Sequence, residues 1–265
     1  MHPALNIAIR AARTAGSIIT RYIDRVDTLS ISEKDCNDFV TEVDRLAERA
    51  IIEVLRKAYP THGIRAEESG VHGSEETVWI IDPLDGTTNF IHGFPMFSVS
   101  IALQHRGCLE QAVIYDPMRQ ELFTASRGAA ARLDERRIRV SRRQGLEGAL
   151  LGTGFPFRTQ RHLDTYLNMF RALLSSTAGI RRAGSAALDL AYVACGRLDG
   201  FWEIGLKEWD VAAGALLIQE AGGIVTDFAG DHDYLTTGNV IAATPRVHQA
   251  MLKTIQSFQI PELSR

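Results

Sequence analysis

Cysteine is scarce in this chain. Cys36, Cys108 and Cys195 are the three in 265 residues, far apart and with no C-x-x-C pair. That argues against a disulfide framework and a thiolate zinc centre, and it reads as three reduced thiols in a cytoplasmic protein. Long apolar runs are also missing: the longest, Val211 to Ile218, has eight residues, where a membrane span needs about 20. The first ten residues lack the basic start, apolar stretch and small-residue cleavage site of a secretory leader. Neither sign of charge prevails, with 29 Lys and Arg against 32 Asp and Glu, which argues against nucleic acid as the main ligand. No solenoid or propeller repeat and no low-complexity linker is visible. What is present is 45% apolar residues, enough to build a full core in a chain with a radius of gyration of roughly 18 Å.

The spacing of apolar residues predicts a first helix over Pro3 to Ile23 and a second over Thr41 to Tyr59, stopped by Pro60. A polar stretch, Asp24 to Asp38, joins them. Strands are expected at Thr77–Ile81, Phe97–Gln104, Leu109–Tyr115, Gln120–Ala125 and Ala129–Leu133, separated by turn residues, as in an antiparallel meander. After about residue 145 short strands alternate with helices at Arg161–Ser175, Ser185–Cys195, Glu208–Ala221 and Pro245–Ser257, an α/β texture. The expected organisation is an N-terminal α+β half, residues 1–145, and a C-terminal α/β half, residues 146–265, forming one continuous unit.

The stretch from Trp79 to Phe90, WIIDPLDGTTNF, carries the most chemistry. An apolar strand ends in Asp82, Pro83 fixes the backbone, and Asp85 follows. Asp-Pro and Asp-Gly are each ordinary turn dipeptides. Together after a strand, however, the two carboxylates can converge on one spot and offer the hard oxygen ligands that suit Mg²⁺. Gly86, Thr87 and Thr88 then resemble a helix start, whose backbone N–H groups suit a phosphate. Further candidates are Glu67 and Glu68, in a loop placed just past a helix, and Asp210, ahead of the apolar run and able to cap it as well as bind. Asp44 sits on the face of the second helix.

These motifs together, with Glu220-Ala-Gly-Gly223, resemble the inositol monophosphatase family over essentially the whole chain. The segments Asn37–Asp44 and Gly152–Phe157 resemble its bacterial SuhB-type branch. The resemblance implies a layered αβαβα sandwich of the sugar phosphatase type and Mg²⁺-dependent hydrolysis of a phosphate monoester by metal-activated water. By the same resemblance Glu67, Asp82 and the Leu84 carbonyl hold a first metal, and Asp82, Asp85 and Asp210 a second. A third, weaker ion lies near Glu67. Thr87 and Asp44 orient the water, and the backbone at Gly86 and Thr87, with Thr88 beside it, takes the phosphate. Gly184, Ser185, Ala186, Glu203 and Asp210 contact the sugar alcohol, and Lys34 belongs to a loop that closes over the site. Lithium sensitivity and a homodimer are also implied. His92 reads as a structural residue.

One position departs from the family pattern: Ala66 stands where many members have glycine, which would be strained if that site needs a positive φ. The family also acts on fructose 1,6-bisphosphate, adenosine 3′,5′-bisphosphate and nicotinamide dinucleotide phosphate; Thr88-Asn89-Phe90 and the chain length favour inositol phosphates. A second function class comes from Arg132, Arg136, Arg137, Arg139, Arg142 and Arg143, crowded into one segment. The SuhB-type branch is associated with binding partners in ribosomal RNA transcription antitermination. An arginine-rich hairpin can contact RNA or an acidic partner.

Overall fold

The structure is a computed structural model. It describes the backbone of residues 2–28, 31–35, 38–156, 160–258 and 263; the side chains from 27 to 39 and that of 160 lie outside the description. The helices are α1 (Pro3–Tyr22), α2 (Glu42–Ala58), α3 (Thr87–Ile91), α4 (Leu163–Leu174), α5 (Ala186–Ala194), α6 (Glu208–Glu220), α7 (Tyr234–Thr237) and α8 (Pro245–Gln256). A small hairpin pairs β1 (Ile31–Asp35) with β2 (Asp38–Thr41). The large sheet holds β3 (Gly63–Ala66), β4 (Gly70–His72), β5 (Thr77–Asp85), β6 (Ser98–His105), β7 (Cys108–Asp116), β8 (Glu121–Ser126), β9 (Arg132–Leu133) and β10 (Arg136–Arg137), in the order β10-β9-β8-β7-β6-β5-β3-β4. The second sheet holds β11 (Leu150–Thr153), β12 (Gly179–Arg181), β13 (Gly200–Glu203), β14 (Ile224–Thr226) and β15 (Val240–Ala243), in the order β12-β11-β13-β15-β14.

Strand periodicity stacks these elements into five layers. On β5, Trp79 and Ile81 face one core, packed with α1 and α2, while Val78 and Ile80 face another, packed with α5 and α6. Alternate residues of a strand point to opposite faces, so one strand feeds both cores. On the second sheet Phe201, Val240 and Ala242 join the α5/α6 core, whereas Trp202, Ile241 and Ala243 pack with Tyr166 of α4 and Met251 of α8. The order is therefore helices, sheet, helices, sheet, helices, the αβαβα sandwich expected from the sequence.

The apolar run Val211–Ile218 is the middle of α6, and every residue in it is buried. It is apolar all round because both of its sides meet a sheet. Among the described residues no helix is long and apolar enough to cross a membrane.

Some expectations shift. The polar joint holds a 3₁₀ turn, Ile23–Thr28, and the β1–β2 hairpin. The meander is present as β5 to β8, but β3 runs parallel to β5 and has a short antiparallel partner in β4. The strand expected over Ala129–Leu133 is only Arg132–Leu133; it forms a tight hairpin with Arg136–Arg137. Asp134 and Glu135 between them adopt φ of 47° and 68°, as a two-residue hairpin turn requires. Cys36 lies outside the described residues; Cys108 is exposed and Cys195 half-buried, both free.

Candidate active site

β5 breaks its own pattern where the chemistry begins. Asp82 pairs with Ser100 of β6, and Asp85 with Ser98. Three steps on β5 thus match two on β6, which is a bulge of one residue. In a regular strand Asp82 and Asp85 would face opposite sides; the extra residue brings them to the same side. Pro83, with no N–H to give the ladder, stands at the irregularity. Asp82 Oδ1 accepts from the Leu84 amide at 2.9 Å.

Asp85 is anchored by α5. Its Oδ2 accepts the Ser185 hydroxyl at 2.5 Å and the Ala187 amide at 2.8 Å. Ser185 is also the N-cap of that helix. Asp210 lies in the first turn of α6 and accepts the Lys207 amide at 2.7 Å, so it caps and faces the site together. One oxygen from each of Asp82, Asp85 and Asp210 lies within 4.8 Å of the others.

Asp44, on the face of the second helix, is buried, only 1% exposed. It closes a capping box at the start of α2, its Oδ2 accepting from the Thr41 amide and hydroxyl at 2.8 and 2.6 Å. Its other oxygen accepts the Thr87 hydroxyl at 2.9 Å, and that hydroxyl also lies 3.0 Å from the Leu84 carbonyl. The starts of α2, α3, α5 and α6 therefore converge here, and their positive dipole ends offset part of the carboxylate repulsion.

Glu67 follows strand β3, not a helix as the sequence suggested. Its amide donates to the Ile81 carbonyl at 3.2 Å, which sets it beside Asp82. Ala66 is in that strand and is not among the residues with positive φ. The departure from glycine is therefore unstrained. Gly86, in contrast, has φ of 100°, and a Cβ on it would sit 2.8 Å from the Met96 carbonyl.

Glu67, Asp82, Asp85 and Asp210 line one cavity of about 120 Å³ with Leu84, Gly86, Thr87, Thr88, Gly184, Ser185, Ala186 and Glu203. Of the expected site residues, Asp44 does not line the cavity but accepts a hydrogen bond from Thr87, which does. The side chain of Lys34, and its expected closing role, lie outside the described residues. His92 is not among the lining residues.

Burial controls the electrostatics. It raises Asp85 to about 6, with the Ser185 and Ala187 bonds working against it. Burial likewise takes Asp44 to about 6. Asp82 is pushed well up by burial and then by Glu67, Asp85 and Asp210. Glu203 is raised by burial and by Asp210 and Asp189. Carboxylates crowded in this way repel one another, and bound cations relieve that repulsion. The donors are all oxygen and, among the described lining residues, none is His or Cys; this set fits Mg²⁺, not a soft metal.

Asp189 and Arg182 escaped the sequence reading, and Gly154 and Asn89 entered it only as parts of motifs, without a role of their own. Asp189 is 2% exposed and lines the cavity; the available signal was a lone acid in the apolar run of α5. Arg182 is the one cation among the described lining residues, with its guanidinium 5.2 Å from the Phe155 ring centre. A Cβ on Gly154 would collide with the Glu203 carboxylate. Asn89 donates to the Met96 and Ala183 carbonyls at 2.7 and 2.9 Å, tying α3 to the Gly184 segment.

Comparison with known proteins bears on family and fold. The model of the inositol monophosphatase family matches residues 1–260. A Pseudomonas aeruginosa protein named Nus factor SuhB is 61% identical, covering 100% of both chains. The crystal structure of the extragenic suppressor protein SuhB from Bartonella henselae superposes with a TM-score of 0.94 at 44% identity, covering 96% of this chain and 99% of that one. An inositol monophosphatase from Anabaena gives a TM-score of 0.86 at 40% identity, covering 98% and 97%.

Proposed function

The chain belongs to the inositol monophosphatase family, and on that premise we propose that it is a Mg²⁺-dependent phosphate monoester hydrolase acting on myo-inositol monophosphates. The observation that carries this reading is the meeting of Asp82, Asp85 and Asp210 within 4.8 Å, beside the hydrogen-bonded Thr87–Asp44 pair.

Glu67, Asp82 and the Leu84 carbonyl would hold one cation, Asp82, Asp85 and Asp210 another, and Glu67 a third, weaker one. When bound, these ions would acidify a water and neutralise charge on the phosphoryl oxygens. The chain's own part is positioning, which is most of what phosphoryl transfer needs. Asp44 fixes the Thr87 hydroxyl, which orients the attacking water. The first turn of α3, from Gly86 through Thr88, faces the phosphate. Gly184, Ser185 and Ala186 line the polyol, and Glu203 and Asp210 accept hydrogen bonds from its hydroxyls. The working form we propose is the homodimer.

The test is phosphate release from myo-inositol 1-phosphate, glycerol 2-phosphate, fructose 1,6-bisphosphate and adenosine 3′,5′-bisphosphate in Mg²⁺, with and without Li⁺. Preferential, Li⁺-sensitive turnover of the first two is expected. Turnover of none of the four would contradict the reading.

A second reading rests on the Arg136–Arg137 edge of the large sheet, where both side chains are exposed. With relatives named Nus factor, this edge fits a contact with transcription antitermination proteins. The double charge reversal Arg136→Glu and Arg137→Glu should abolish capture of such partners while phosphatase activity persists. Unchanged capture removes this segment from the account.

A further inference from the structure

α2 presents two buried acids to the site's surroundings. Asp44 and Glu48 are 1% and 3% exposed and one helical turn apart, hence on one face. Asp44 holds Thr87, as described above. Glu48 Oε2 accepts the backbone N–H of Glu68 at 2.8 Å. The same acid-bearing face therefore grips both ligand segments: the turn after β3 that carries Glu67, and the β5–α3 segment that carries Asp82, Leu84 and Asp85.

The turn has other supports. Glu67 N–H donates to Ile81 O, and Arg65, two residues before Glu67, pairs with Glu208 of α6 at 3.0 Å. Those two bonds fix the chain entering the turn. Glu48 holds it just beyond Glu67. A buried carboxylate accepting a backbone N–H is a strong, directional bond.

We propose that Glu48 is a positioning residue: its carboxylate fixes the Glu67–Glu68 turn on α2 and so sets the distance of Glu67 from the Asp82–Asp85 pair. This rests on the metal reading of the site given above. Reach matters more than charge in Glu48. Glutamine keeps the chain length and an acceptor oxygen; aspartate keeps the charge but withdraws the acceptor by one methylene.

The experiment compares Glu48→Gln, Glu48→Asp and wild type. The first readout is hydrogen exchange at the Glu68 amide in metal-free protein. The second is Mg²⁺ titration by calorimetry, and the third is kcat at saturating Mg²⁺. Glu48→Asp should lose protection of the Glu68 amide and bind Mg²⁺ about tenfold more weakly or worse, with kcat largely restored by excess Mg²⁺. Glu48→Gln should keep protection and stay within about threefold of wild type in Mg²⁺ affinity, since one hydrogen bond is exchanged for a weaker one.

Equal Mg²⁺ affinity in Glu48→Asp and wild type overturns the proposal. So does a Glu48→Gln variant as impaired as Glu48→Asp, because the charge would then be the cause. A wild-type protein that takes up no Mg²⁺ refutes the metal reading, while the exchange comparison on metal-free protein still decides whether Glu48 holds the turn.

Discussion

Replacing Asp85 by asparagine should stabilise the metal-free protein while costing it Mg²⁺. The Asp85 carboxyl is raised from 3.8 to about 6, chiefly by burial. A raised folded-state value means that the fold holds this proton more tightly than the unfolded chain does. Its contribution to stability is complete below about pH 4 and is lost as pH rises through 6. The shift of about two units corresponds to about 3 kcal/mol. The asparagine side chain carries no charge to bury, and the raised value already includes what the Ser185 and Ala187 bonds give back to the carboxylate. The gain at pH 8 is about 3 kcal/mol, or roughly 6–12 °C in Tm for a chain of this size. Thermal unfolding in chelator at pH 4 and pH 8 reads it directly: a gain at pH 8 that disappears at pH 4. In Mg²⁺ the order should reverse, because the wild type gains from binding and the variant loses a ligand. A variant no more stable than wild type at pH 8 in chelator, or a difference independent of pH, would refute the reasoning.

Thr87→Val removes the hydroxyl that Asp44 holds, and kcat should fall at least about 100-fold with Mg²⁺ affinity kept, whereas Thr87→Ser should retain most activity. Gly86→Ala forces a side chain into φ of 100° against the Met96 carbonyl; chemical denaturation should show a loss of about 1–3 kcal/mol. Asn89→Ala leaves the Met96 and Ala183 carbonyls without their donor; the same measurement should show about 1–3 kcal/mol lost.

Much of this was legible in the chain because it is local. The long helices follow from apolar spacing, and α1 and α2 end within one residue of where the pattern placed them. The Asp82–Asp85 convergence was readable from a strand followed by a proline turn. The bulge that makes it work appears only when β5 is paired with β6. The parallel β3–β5 pairing escaped for the same reason: β3 has four residues and no alternation of its own, and pairing is a long-range fact. Glu67 was consequently set after a helix rather than a strand. Asp189 and Glu48 look like ordinary acids in sequence and acquire meaning only through burial. The burial of Asp44 is not legible locally, because its partners, Thr41 and Thr87, lie on opposite sides of it in the chain, one local and one 43 residues away.

Acids scattered from Asp44 to Asp210 are proposed to form one Mg²⁺-dependent hydrolytic centre. The most direct measurement is phosphate release from myo-inositol 1-phosphate by wild type and Asp82→Asn, each in chelator and in excess Mg²⁺. Release by the wild type in Mg²⁺ alone, with none from the variant in either condition, is predicted. Release that persists in chelator, or an Asp82→Asn enzyme as fast as wild type, would contradict it.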